Sequence, residues 1–363
     1  MNPRSRRPTS KVYCYRLPGD ANDDHLVAAT HRLFAAGNFA ELFREGDSVG
    51  VKLHFGEGNN NTHLKPPVVR KVVDLVKAGG GRPFLVESNT LYRGRRSNSI
   101  DHLILAHDHG FTMDEVGAPV IIADGLLGNE QVKVPIQGKH YQEVPLAAGG
   151  HHAQTLVALT HVTGHPGTGI GASIKNIGMG LSARAGKLSQ HSDMVPEVRE
   201  DRCVACGTCA EWCPTKAITV GEIADIDEKK CIGCGECLAV CPNDAVTFSW
   251  SETNERLQEK MAEHALGVVT RKPGRIGFLN YIYDVTKGCD CFGTVQEPVL
   301  KSLAVLASTD CVAVDKATVD LINEHTHGDF FRKLYPHIDY AVQLTHGESL
   351  GLGSTTYDLT EVT

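Results

Sequence analysis

No apolar run in the 363-residue sequence approaches the roughly 18 residues that a membrane-spanning helix needs. The opening segment, MNPRSRRPTS, is basic and has no apolar stretch behind it, so a secretory signal is not expected either. Excess positive charge is also missing. Lys and Arg number 36 against 43 Asp and Glu, a formal charge of -7, which argues against general nucleic-acid binding and leaves Arg4, Arg6, Arg7 and Lys11 as a short basic tail. Neither the P-loop order nor a full dinucleotide fingerprint followed by a suitable acidic residue is met, although GTGIGA matches G-x-G-x-G. These absences point to a cytoplasmic protein with no membrane and no nucleic acid among its partners.

Cysteine is what the chain has in quantity, with 12 residues, and eight of them fall in one stretch. CVACGTCAEWCP and CIGCGECLAVCP each carry C-x2-C-x2-C-x3-C-P, at Cys203, Cys206, Cys209, Cys213 and at Cys231, Cys234, Cys237, Cys241. That is the spacing of bacterial two-cluster ferredoxins, in which three close thiolates hold one cubane and the fourth ligand comes from the other run. The expected sets are Cys203, Cys206, Cys209 with Cys241, and Cys231, Cys234, Cys237 with Cys213, each on one [4Fe-4S] cluster. Zinc sites use paired C-x2-C but give no reason for the third cysteine or the Cys-Pro. A disulfide framework would need an oxidising compartment.

Around this stretch the pattern alternates strand and helix. KVYCYRL, SVGVKLHF, RPFLVESN and TLVALTHVTG read as strands, with PVIIAD, QVKVPI and HYQEVPLA as shorter ones. The segments from Asp23, from Pro66 and from Ser97 read as helices, the second opened by proline and closed by glycine. After the cysteines, SETNERLQEKMAEHALGVV reads as helix, GRIGFLNYIYDVT and KSLAVLAS as strands, TDCVAVDKATVDLINEHT as helix and DYAVQLTHGE as a last strand. The expectation is an α/β domain with a mixed or parallel sheet, residues 11–197 and 251–363, interrupted by a small α+β 2[4Fe-4S] ferredoxin-like domain over 198–250.

Several segments outside the cubanes carry candidate chemistry. In HVTGHPGTGIGASIKNIGMGLSARAGK, the glycines Gly167, Gly169 and Gly171 with Lys175 and Asn176 could cradle an anion such as a cofactor phosphate, or form a tight structural turn with a surface lysine. His161 and His165 flank the strand end before that loop; His54, Glu87, Ser88 and Asn89 end other strands. Cys289 and Cys291, in TKGCDCFGT, could chelate a soft metal, bind a third cluster with outside ligands, or act as a redox pair. Cys311 falls at a predicted helix start, where the helix dipole would lower its pKa. Asp310 could cap that helix, and Asp315 could cap it or project into the cleft. Cys14 is expected in the core.

Taken in order, VKLHFGEGNN, PPVVRKVVDLVKAGG, the glycine–lysine stretch, the double cysteine run, GCDC and LASTDCVAVDKATVDLIN resemble the uncharacterised Fe-S centre proteins, in which a widespread domain of unknown function carries a double ferredoxin insert. The resemblance runs from about Lys11 to His346. The family usually has proline where Cys311 stands here. In general shape, without a shared motif, the α/β part also resembles the nickel-dependent lactate racemase fold. The resemblance implies a cytoplasmic, anaerobe-associated iron-sulfur protein. The functional expectation is an oxidoreductase in which the clusters relay electrons to a substrate, a third metal centre or a flavin-like cofactor, with Lys175, His161, His165 and Asp315 as catalytic candidates. The other class is an electron donor or a metal or cluster carrier without turnover. Expected partners are a redox protein or a small-molecule substrate, and a second copy of the chain as a homodimer.

Overall fold

The computed structural model describes residues 9–192, 195–250 and 252–363; Arg4, Arg6 and Arg7 of the basic tail lie outside them. Eight strands form one sheet: β1 (Ser10–Arg16), β2 (Ser48–Lys52), β3 (Arg82–Glu87), β4 (Val120–Ile122), β5 (Thr155–His161), β6 (Ile276–Ile282), β7 (Ala304–Ser308) and β8 (Tyr357–Glu361). Their spatial order is β8-β1-β7-β6-β5-β2-β3-β4. β4, β3, β2, β5 and β6 run parallel. β7 is antiparallel to both β6 and β1, so the sheet is mixed.

The central strands are apolar on both sides, as strands covered by helices on both faces must be. Leu156 and Ala158 point into one apolar cluster, while Val157 and Leu159 point into the other. Helices α1 (Asp23–Ala36) and α2 (Pro66–Ala78) cover the second face. The Val68, Val69, Val72, Val73 and Val76 spacing gives α2 a buried stripe against the sheet. α3 (Ser99–Asp108) starts at Asn98, whose side chain accepts from Asp101 N. The first face carries α4 (Ser173–Gly178), α5 (Arg184–His191), α6 (Asn254–Thr270), α7 (Cys311–His325) and α8 (Ala341–Leu350).

Two expectations need correcting. The segment from Asp339 onward is not the last strand: Ala341–Leu350 is helix, with Gln343, Leu344 and Gly347 buried at helical spacing and Gly351 closing it at φ 80°. The last strand is β8, paired parallel with β1. The long first helix stops at Ala36, and a 3-10 turn, Phe39–Leu42, follows.

Residues 198–250 make small elements of their own. Glu197–Val198 pairs with Val246–Thr247, Ile218–Val220 pairs with Ala224–Ile226, and Thr208–Glu211 and Glu236–Val240 are single helical turns. Their core is a separate small cluster that includes Cys209, Cys237 and Cys241. Among the described residues, no helix is long and apolar enough to cross a membrane.

Candidate functional site

Because β2, β3, β5 and β6 are parallel, their carboxyl ends meet at one edge of the sheet, where open α/β folds place ligands. A cavity of about 570 Å³ opens there. Lys52 and His54 reach it from the end of β2, Glu87 and Ser88 from β3, and His161 from β5. The loop after β5 adds His165, Gly167, Gly171, Lys175 and Asn176, and the loop after β6 adds Cys289, Asp290 and Cys291. Most of the candidate residues outside the cysteine runs therefore share one cavity. Gly169 and Asp315 do not line it.

Asp315 has another task. From α7 its two carboxylate oxygens accept from Ser173 N and Ile174 N, both at 2.8 Å, and from Asn280 Nδ2 at 2.8 Å. It thereby fills the amino end of α4, the place where the glycine loop was expected to offer amides to a phosphate. Two other glycines of the stretch serve close packing. A Cβ on Gly164 would lie 2.3 Å from Lys287 O, and one on Gly178 2.3 Å from Met261 O, so the chain can pass these carbonyls only without a side chain.

Charges in the cavity are paired. Lys52 is buried and bonds Asn176 Oδ1 at 2.8 Å and Glu87 at 3.1 Å; burial lowers its pKa, with Glu87 acting against that. Lys175 Nζ sits 3.2 Å from Cys289 Sγ. Burial would lower Lys175, but the neighbouring Cys289 and Cys291 outweigh it and hold the ammonium charged. Cys289 is driven toward thiolate by a hydrogen bond from Cys291 and by Lys175, while Cys291 is driven the other way. Lys187 has its donors occupied by Ser88 Oγ, Asn89 O and Ser182 O.

The histidines differ in charge. His161 Nδ1 lies 2.8 Å from Asp290 Oδ2 and Nε2 lies 2.8 Å from Tyr283 O. Acceptors on both nitrogens make it an imidazolium; burial opposes this, but Asp290 prevails and the pKa is raised. His165 Nδ1 instead accepts from Gly167 N and Thr168 N at 3.1 and 3.2 Å, and His54 Nδ1 from Gly56 N at 2.9 Å. Both rings are thus neutral with the proton on Nε2, and burial holds both pKa values well below the usual histidine range. Among the described residues, His54 Nε2 is buried with no partner.

Sequence reasoning missed Tyr92, Arg96, Lys187, His191 and Asp290, all of which line the cavity. Asp290 stood between the two cysteines of the C-D-C triplet. Its Oδ1 also accepts from Thr62 Oγ1 at 2.8 Å, which ties the asparagine-rich loop after β2 to the cysteine loop. Arg96, buried against Glu57 at 3.0 Å, comes from a loop without any motif.

Cys311 departs from expectation. It is buried at the start of α7, and burial raises its thiol well above the ordinary value, so the dipole does not activate it. Asp310 is the cap, accepting from Val312 N and Ala313 N. Cys14 is fully buried in the core.

The eight cysteines of the double run surround two small cavities. Cys203, Cys206, Cys209 and Cys241 line one; Cys213, Cys231, Cys234 and Cys237 line the other. Backbone amides point at the sulfurs: Ala217 N to Cys213 and Ala245 N to Cys241 at 3.2 Å, and Ala224 N to Cys203 at 3.4 Å. Gly207, Gly233 and Gly235, between or beside the cysteines, have φ of 82°, 65° and 73°, which lets the loops curl around those spaces. Among the described residues, no three His, Cys, Asp or Glu side chains converge as a single-ion site. A cubane would not require that, since each thiolate binds a different iron corner.

The cysteine-rich segment reaches the cavity. Trp250 and Glu252 are among the residues that line it, and Trp250 packs edge-on against His191 at 4.6 Å. Arg93 pairs with Asp244 and donates to Cys241 O at 2.8 Å.

The family model described as Domain of unknown function (DUF362) matches residues 49–320. No curated protein matches the chain. Among solved structures, the lactate racemase apoprotein from Thermoanaerobacterium thermosaccharolyticum is 9% identical with a TM-score of 0.40, over 76% of this chain and 51% of its own. A structural-genomics protein from Thermotoga maritima is 8% identical with a TM-score of 0.43, over 92% of this chain and 60% of its own. The match thus spans about half to three-fifths of those longer chains.

Proposed function

The chain belongs to the DUF362 family, and from that premise we propose that it is an iron-sulfur oxidoreductase working in a reducing cytoplasm. Two [4Fe-4S] clusters, when bound, supply one-electron transfer toward the cavity at the carboxyl edge of the sheet. The observation that carries this reading is the grouping of the cysteines. Folding puts the fourth cysteine of each run with the first three of the other, around two spaces with inward amides. Amide donors of that kind favour thiolates, and the donor set suits a cubane. Cys203, Cys206, Cys209 and Cys241 would hold one cluster, and Cys213, Cys231, Cys234 and Cys237 the other.

The remaining residues prepare the cavity. Lys175 orients Cys289, and His165 presents its Nε2 proton. His161 fixes the cysteine loop through Asp290. Asp315 positions Lys175 by anchoring the first turn of α4. A cavity of this size suits a small molecule, and a redox protein would deliver or collect electrons at the exposed Cys206 side of the cysteine-rich segment.

Electron paramagnetic resonance on anaerobically purified, dithionite-reduced protein tests the reading. Two magnetically interacting reduced clusters are expected; a spectrum without them overturns it. The second reading, an electron carrier without turnover, would be favoured by a cavity that carries no co-purifying molecule in anaerobic mass spectrometry together with rapid electron exchange with added acceptors.

A further inference from the structure

The cavity's reactive feature is its pair of thiols, and we propose that Cys289 and Cys291 form a reversible disulfide, so that the site is a two-electron dithiol centre at the end of the relay. The pair is free in the structure, and Cys291 N donates to Cys289 Sγ at 3.4 Å, which folds the turn back onto that sulfur. Residues two apart in a turn can bring their Cβ atoms into disulfide range. The turn is held for the task. Asp290, between the cysteines, bonds His161 and Thr62, Gln296 Nε2 donates to Cys289 O at 3.1 Å, and Tyr92 Oη donates to Cys291 O at 3.0 Å.

Lys175 decides between a dithiol and a metal. Its ammonium stands 3.2 Å from Cys289 Sγ, on the sulfur that a soft cation would also need. Among the described residues no group of three His, Cys, Asp or Glu side chains could hold a metal ion there. An ammonium beside one sulfur of a pair is instead what a nucleophilic or leaving thiolate needs.

The step balances simply. The Cys289–Cys291 disulfide takes up two electrons and one proton; the S–S bond breaks, leaving Cys289 as thiolate beside Lys175 and Cys291 as thiol. The electrons come from an external low-potential one-electron donor, and here the inference rests on the relay of the proposed function. One loop links the two regions: Arg93 donates to Cys241 O in the cysteine-rich segment, and the adjacent Tyr92 donates to Cys291 O in the cavity.

The test is an anaerobic coulometric titration of the holoprotein, oxidised beforehand with diamide, with reduced methyl viologen as donor. Samples at each end are alkylated and their Cys289–Cys291 peptide is weighed. Wild type should take up twice the electrons of Cys291→Ser: two at the clusters, seen by electron paramagnetic resonance, and two more without a signal. Alkylation should label both cysteines after reduction and neither after oxidation. Equal uptake by the two proteins, with Cys289 and Cys291 labelled in both states of wild type, overturns the inference while leaving the relay intact. Absence of a cluster signal overturns the relay, and the peptide mass alone then decides the dithiol.

Discussion

In the cysteine-rich segment, the buried core comprises Cys209, Ile218, Ala224, Cys237, Cys241, Ala245 and Val246. The α/β domain instead packs two large apolar clusters, one on each face of eight strands. A core so small and so rich in thiols offsets little of the entropy of ordering its chain, so under the proposed function the clusters would supply much of the segment's stability. The cavity shows the converse. Its polar groups are held by the surrounding domain through Lys52–Glu87, Arg96–Glu57 and His161–Asp290, and need no metal to stay in place. On the proposed reading, one region would be folded by its clusters, whereas the other is shaped by its own packing and ion pairs.

The largest effect that could break this contrast is metal removal. Chelating iron from the purified protein should strip hydrogen-exchange protection from residues 198–250 while amides of β5 and β6 keep theirs. A segment that stays protected without metal would contradict the contrast. Next is Asp290→Ala, which leaves the His161 imidazolium buried without its counter-charge and should cost about 3–5 kcal/mol in denaturant unfolding. A smaller loss, about 1–3 kcal/mol, is expected for Gly178→Ala, whose new Cβ would lie 2.3 Å from Met261 O. A loss near zero there would show that α4 and α6 are not locked together.

The smallest effect is a pH dependence. His161 has a folded-state pKa raised above its ordinary 6.5, so the folded chain holds that proton more tightly. Its contribution to stability is full below 6.5 and is lost as pH rises through the raised value. Asp290, lowered to about 2, contributes fully above the ordinary carboxylate range and loses that contribution as pH falls toward 2. Denaturation curves of wild type and His161→Gln should therefore differ most near neutral and mildly acidic pH and converge in base. Parallel curves throughout would show that the pair carries no net linkage.

Much of the fold was legible because apolar periodicity reports burial directly. Pro66 and Gly79 bracket α2, and Asp310 caps α7 where its side chain can reach the first free amides. The expected strand DYAVQLTHGE is helix for a physical reason: Val342 and Leu344 alternate as in a strand, but the buried residues are Gln343, Leu344 and Gly347, which share one helical face. In the site, residues at strand ends were legible because parallel strands deliver them to one edge. Arg96 and Tyr92 were not, since they enter from a loop whose path depends on Glu57 and Cys291, distant in sequence. At the glycine loop, what stayed hidden was Asp315, which reaches the first amides of α4 from a helix distant in sequence.

The central claim is that the double cysteine run holds two cubanes in crossed sets of four. Iron and acid-labile sulfide analysis with Mössbauer spectroscopy on protein purified without oxygen tests it most directly. The account predicts eight irons and eight sulfides per chain, all in [4Fe-4S] environments. Zinc at one ion for each set of four cysteines, with neither iron nor sulfide, would contradict it.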